Sequence, residues 1–99
     1  MIKKEYFKTK PAVCKVTFAL TEAINAENAY LVGDFNEWGE TTTPMKKSKT
    51  KGFSVSLELE KGREYEFRYL VDGTEWRNDG QADKYVPNPY NGDNSVAVT

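Results

Sequence analysis

The 99-residue chain contains no histidine and only one cysteine, Cys14. Without histidine, Ser-His-Asp and Cys-His nucleophilic systems lack their base, and one cysteine leaves ordinary zinc sites short of ligands. Only carboxylate chemistry stays open, and no cofactor is expected. A lone cysteine forms no internal disulfide, which fits a reducing compartment and makes the cytoplasm the expected location. No run approaches the roughly 18–20 apolar residues of a membrane helix. Met1 to Glu5 has none of the apolar stretch of a secretory signal. Neither sign of charge is in excess: 14 basic residues stand against 15 acidic ones, for a net −1. There is thus no overall field to draw nucleic acid or an anionic membrane. The one basic run, Lys46-Lys47-Ser48-Lys49-Thr50-Lys51, precedes a glycine and is expected to be a solvated loop.

What is present is period-two alternation. Cys14, Val16, Phe18 and Leu20 face one way, with Lys15 and Thr17 the other. Phe53, Val55, Leu57 and Leu59 alternate with Ser54, Ser56, Glu58 and Glu60. Tyr65, Phe67, Tyr69 and Val71 alternate with Glu64, Glu66 and Arg68. Ala29 to Phe35 is a mostly apolar run broken by Gly33, and Asn94 to Val98 is a short closing strand. Turns are signalled at Lys61-Gly62, Asp72-Gly73, Pro87-Asn88-Pro89 and Asn91-Gly92-Asp93. Thr21 to Asn28, the one helix-like stretch, is short and uncapped and reads as a connection between strands. The composition, 38% apolar and 13% aromatic, is that of a packed domain rather than a disordered one. Together these features predict one all-β domain over residues 1–99, an antiparallel β-sandwich of about six to eight strands, with residues 1–11 as an N-terminal extension or edge strand. Its expected core is Phe18, Leu31, Phe35, Phe53, Val55, Leu57, Phe67 and Tyr69, with Cys14 beside them as a small hydrophobe.

Two fragments depart from plain strand patterning. Val32-Gly33-Asp34-Phe35-Asn36-Glu37-Trp38 and Tyr65 to Trp76 each run from an apolar strand into a polar turn that ends on one of the only two tryptophans. An indole among Asn, Glu and Gly is placed to offer a flat apolar face to a ligand that is half apolar and half hydroxyl, as sugars are. Covering roughly 50–80 Å² of a pyranose face at about 25 cal/mol/Å² is worth on the order of 1.5–2 kcal/mol per indole. Two such platforms and a few solvent-competed hydrogen bonds, less the cost of association, leave about −4 to −6 kcal/mol, or millimolar to tens of micromolar affinity.

The same fragments carry a resemblance. Gly33-Asp34-Phe35-Asn36-Glu37-Trp38, then Tyr65 to Trp76 with Val71-Asp72-Gly73, then Asn94-Ser95-Val96, is similar to the family 48 carbohydrate-binding modules over roughly residues 12 to 98. These are immunoglobulin-like, early-set sandwiches found beside glycogen-branching and debranching enzymes and isoamylases, and as the glycogen-binding domain of the AMP-activated protein kinase β subunit. The resemblance implies a non-catalytic domain that binds α-1,4-linked glucan: glycogen, starch or maltooligosaccharide. It implies that Trp38 and Trp76 stack on glucose rings, and that Arg68 stands where the kinase-type domain has a lysine donating to sugar hydroxyls. Tyr90 falls at an apolar residue that reaches into the curved glucan, and Asn94 at a hydroxyl-binding asparagine. The chain departs from the kinase-type pattern in having one residue more than Asp-Gly-X-Trp before Trp76, and Gly80 after Asp79 where a proline is common.

Each residue also has a plainer reading. Either tryptophan could be a buried sandwich residue. Arg68 could pair with Glu64 or Glu66, Tyr90 could pack within its loop, and Asn94 could be a turn residue. Asp72, Glu75, Asp79 and Asp83 lie close enough in sequence to raise the question of a glycosidase pair, though all sit in or beside turns. The competing function is a protein-docking module on a glucan-metabolising enzyme or kinase subunit, with little glucan affinity of its own. The expected state is a monomer that contacts neither nucleic acid nor membrane. The hairpin before Trp76 decides its face: a two-residue Asp72-Gly73 loop would pair Trp76 with Tyr69, on the core side. A three-residue Val71-Asp72-Gly73 loop, or an equivalent bulge, would pair it with Arg68 outside, and this second register is expected.

Overall fold

The computed structural model describes residues 1–21, 25–50, 52–89 and 92–99. Nine strands are formed among them: β1 (Ile2–Tyr6), β2 (Val13–Leu20), β3 (Ala29–Gly33), β4 (Lys46–Ser48), β5 (Gly52–Glu60), β6 (Glu64–Val71), β7 (Glu75–Arg77), β8 (Lys84–Pro87) and β9 (Asp93–Val98). They make two sheets, β1-β2-β5-β4 and β3-β6-β9-β8, with β7 added beside β6. Every pairing is antiparallel. The architecture is the expected immunoglobulin-like sandwich.

Alternation does the packing. From β2, Cys14, Val16, Phe18 and Leu20 turn inward and are buried, and from β6 Tyr65, Phe67, Tyr69 and Val71 do the same. Phe18 and Phe67 join the two sheets edge to face, their centroids 4.9 Å apart, a contact worth about 0.5–1.5 kcal/mol beyond the area it covers. Of the expected core, Phe18, Leu31, Phe53, Phe67 and Tyr69 are fully buried, while Phe35, Val55 and Leu57 pack against the cluster partly exposed.

The strand count exceeds the expected six to eight because three short segments without alternation pair at sheet margins. The clearest correction is the lysine run: Lys46–Ser48 is not a loop but the edge strand β4, its register Lys46–Ser54, Lys47–Phe53 and Ser48–Gly52. Backbone pairing with β5 decides this, and lysines suit an edge because their charge repels further strands. Lys47 adds a hydrogen bond to the carbonyl of Ala26 and sits 5.9 Å from the centroid of the Phe53 ring. Residues 22–24 of the Thr21 to Asn28 connection, Lys51 of the basic run, and Asn91 of the last turn signal lie outside the described residues.

The second sheet positions the site. Along one edge β6 pairs with β3; along the other it pairs first with β9 and then with β7. Trp76 therefore sits in line with β9 against the same flank of β6. The turn between β6 and β7 has positive φ at Asp72 (51°) and Gly73 (74°), the mark of a type I′ turn. Thr74 N donates to the Val71 carbonyl at 3.2 Å. The ladder then pairs Val71 with Glu75 and Leu70 with Trp76, which leaves Thr74 as the extra, bulged residue. The face of Trp76 is thus the expected outer one, but the register is corrected: the loop is Asp72-Gly73-Thr74 and Trp76 opposes Leu70, not Arg68. The bulge absorbs the additional residue without turning the strand over. Deleting Thr74 should consequently leave Trp76 outside, its fluorescence in a Trp38→Phe background still quenched by acrylamide as readily as before the deletion; a core-facing Trp76 would be shielded from the quencher.

Candidate glucan-binding groove

Gly33 ends β3 where no side chain fits: a Cβ there would lie 2.5 Å from the Glu66 carbonyl oxygen, 2.8 Å from the Phe67 Cβ and 2.9 Å from the Phe35 ring. The chain then makes one 3-10 turn, Asp34–Asn36, which swings Phe35 inward against Phe18 and Tyr65. Asn36 locks that turn. Its Oδ1 accepts from Gly33 N at 3.1 Å, and its Nδ2 donates to the Leu31 carbonyl (2.8 Å) and to Thr43 Oγ1 (3.0 Å). Glu37 and Trp38 follow in the left-handed region, φ 57° and 58°, a conformation rarely adopted by residues with bulky side chains. Trp38 N closes the motif by donating to the Gly33 carbonyl at 2.9 Å. Neither Trp38 nor Trp76 belongs to the buried core; Trp38 is half-buried and Trp76 is 39% exposed.

Between them runs the outer row of β6, Glu66, Arg68 and Leu70. The Arg68 guanidinium lies 5.9 Å from the Trp76 ring centroid, within cation–π range. The pairings proposed for it from sequence are not made. Glu64 is bridged by Lys84 at 2.6 Å, and Glu66 Oε1 accepts from Asn94 Nδ2 at 3.0 Å. Arg68 Nε is buried with no hydrogen-bond partner among the described residues, a state that ordinary surface arginines avoid. On this outer face Val32, Leu70 and Val96 are buried although they face away from the core, with Arg68 across from Val32 and Trp76 across from Leu70.

These side chains line an open groove of about 720 Å³, bounded by Asp34, Trp38, Glu40, Glu66, Arg68, Trp76 and the Asn88–Pro89 turn, with Asn94 in its wall. The volume falls within the usual range for small-molecule sites. Asn94 is buried, and both amide atoms have protein partners, Glu66 and Asn88 (3.3 Å). It ties the row on β6 to the turn before β9. Tyr90 lies outside the described residues. Four of the five residues singled out in the sequence are therefore brought to one groove.

A family model described as the glycogen recognition site of AMP-activated protein kinase matches residues 15–99. The chain belongs to that family. No curated protein matches it. As a glycogen-recognition domain it is a carbohydrate-binding module on a β-sandwich, and the family is non-catalytic.

The carboxylates that raised the question of an enzyme do not gather in this domain. Asp72 Oδ1 accepts from the backbone N–H groups of Glu27 (2.8 Å) and Asn28 (3.0 Å). Glu75 pairs with Arg77, and Asp83 with Lys4. Asp79 is buried, accepting from the Tyr69 hydroxyl (2.7 Å) and from Gln81 N (2.7 Å). None of the four lines the groove. Of the acidic residues that do, the sequence points to Glu66 only as a partner for Arg68, to Asp34 only within its motif, and to Glu40 not at all. Glu66 was findable, because period two puts it on the face of Arg68. Asp34 was not, since its role depends on a turn that folds it back toward β6.

Proposed function

We propose that this domain binds α-1,4-linked glucan without catalysing its turnover, with Trp38 and Trp76 as stacking platforms and Arg68 as a hydroxyl donor between them. The observation that carries the reading is the delivery of both tryptophans, one from the turn after β3 and one from β7, to one groove that also holds an arginine whose buried Nε has no hydrogen-bond partner among the described residues. A pyranose needs an apolar plane for its C–H face and donors and acceptors for its hydroxyl rim, and the groove supplies both kinds. Two separated platforms suit a chain of glucose units better than a single sugar. Asn94, bonded to Glu66 in the groove wall, is the proposed further hydroxyl contact, and Tyr90, outside the described residues, is by resemblance a third apolar one. Starch and maltooligosaccharides share the linkage and are ligands on the same grounds. The expected setting is the cytoplasm, on the ground of the single cysteine.

The test is tryptophan fluorescence titrated with maltoheptaose and β-cyclodextrin, using cellohexaose as the control of opposite linkage. Saturable change with the first two alone supports the reading; no response to any, together with retention on a glucan-metabolising enzyme, favours the docking module. Stacking on a neutral polymer releases no counterions, so raising salt from about 50 to about 500 mM should change the dissociation constant less than about threefold. A steep salt dependence would move the binding surface to the lysines of β4 and its following turn.

A further inference from the structure

One carboxylate joins the two halves of the groove. Asp34 Oδ1 accepts the indole N–H of Trp38 at 3.0 Å, while its Oδ2 accepts the backbone N–H of Glu66 at 2.8 Å. The last residue pair of β3 with β6 is Gly33–Phe67, so the Asp34 side chain continues that ladder by one bond after the backbone has turned away. Both bonds are charge-assisted and so stronger than neutral ones. Together they run from β6, two residues from Arg68, to the edge of the Trp38 ring. We infer that Asp34 is a positioning residue for the glucan site: it sets the plane of the Trp38 indole relative to the hydroxyl-binding row on β6 before any sugar arrives. The inference rests on the glucan-binding reading above.

Two consequences follow for how the platforms differ. The N–H of Trp38 is consumed by Asp34, so this tryptophan offers a sugar its ring face alone. The N–H of Trp76 has no hydrogen-bond partner among the described residues and is available to a hydroxyl. An indole on the β-carbon of a turn residue has two side-chain torsions to lose on binding; Asp34 has already removed that freedom, which is the ordinary route by which preorganisation strengthens binding.

The experiment uses the whole chain and reads the indole protons as well as affinity. In the parent protein labelled with 15N, the Trp38 indole N–H, assigned through Trp38→Phe, should exchange with water more slowly than that of Trp76, in the absence of sugar. Asp34→Ala should bring it to the Trp76 rate and weaken maltoheptaose binding about three- to tenfold. Asp34→Asn, which keeps one acceptor oxygen but replaces the other by a donor, should give an intermediate result on both readouts, and it decides the matter if the alanine variant does not fold. Lost affinity with unchanged indole exchange would mean that Asp34 touches the sugar directly, and would overturn the positioning role. Faster exchange with unchanged affinity overturns it equally, as does no change in either. If the parent itself fails to bind maltoheptaose, the glucan reading fails, and the indole exchange still reports whether Asp34 holds Trp38.

Discussion

Replacing Trp76 with alanine should abolish retention on glycogen while lowering the thermal midpoint by no more than about 8 °C. The binding loss follows from the surface the ring offers. One platform contributes on the order of 1.5–2 kcal/mol, and tenfold in affinity is about 1.4 kcal/mol. Affinity should therefore fall about 10- to 30-fold, which takes a millimolar to tens-of-micromolar binder below detectable retention. The stability loss is small because Trp76 is 39% exposed and lies outside the core cluster, on the outer face opposite Leu70. Trp38→Ala should behave alike in retention, with a somewhat larger thermal shift because its ring is half-buried and its N–H is bonded to Asp34. A buried tryptophan cut to alanine costs roughly 3–5 kcal/mol. If either variant loses stability on that scale, its ring belongs to the packing of the fold and not to a ligand. Glycogen co-sedimentation and a melting curve on the same samples separate the two outcomes.

Gly33→Ala is expected to damage both stability and binding, with about 1–3 kcal/mol lost to overpacking. The reason is space, not backbone conformation, since Gly33 is extended at φ −174°. The added methyl would press on the Glu66 carbonyl and the Phe67 Cβ, both fixed by the central strand of the sheet. The only way out is to push β3 away from β6. That displacement would carry along the Asn36 lock, the Gly33 carbonyl that holds Trp38 N, and the Asp34 bond to Glu66 N. Chemical denaturation should show the lowered stability, and the fluorescence response to maltoheptaose should weaken more than the folded fraction explains. A variant as stable and as responsive as the parent would mean that the approach of β3 to β6 can relax freely.

The largest part of the fold was legible because its information is local and repeated. In Cys14 to Leu20, Phe53 to Leu59 and Tyr65 to Val71, each second residue is apolar, and burying one face of a strand allows no other register. The margins were less legible. Lys46–Ser48 carries no alternation, so nothing in its own residues distinguishes a loop from an edge strand; the free backbone groups of β5 make the choice. Lys84–Pro87, exposed along most of its length, was passed over for the same reason.

Within the site, the sequence by itself determined which residue types were on offer: two tryptophans at the ends of polar turns, an arginine on an outward strand position, and no histidine or second cysteine for other chemistry. It also determined that the turn at Asp72-Gly73 would be tight, because those residues tolerate positive φ. Tertiary structure alone decided which residue of β6 Trp76 opposes, since a bulge at Thr74 shifts the ladder by an amount that the turn residues do not encode. It likewise decided the partners of each carboxylate. Asp79, beyond β7, went to a buried tyrosine of β6, and Asp34 to a backbone N–H that is free only because β3 ends one residue earlier. Hydrogen-bond partners distant in sequence are chosen by whichever donors the packed sheets leave unsatisfied, and that is a property of the assembled fold.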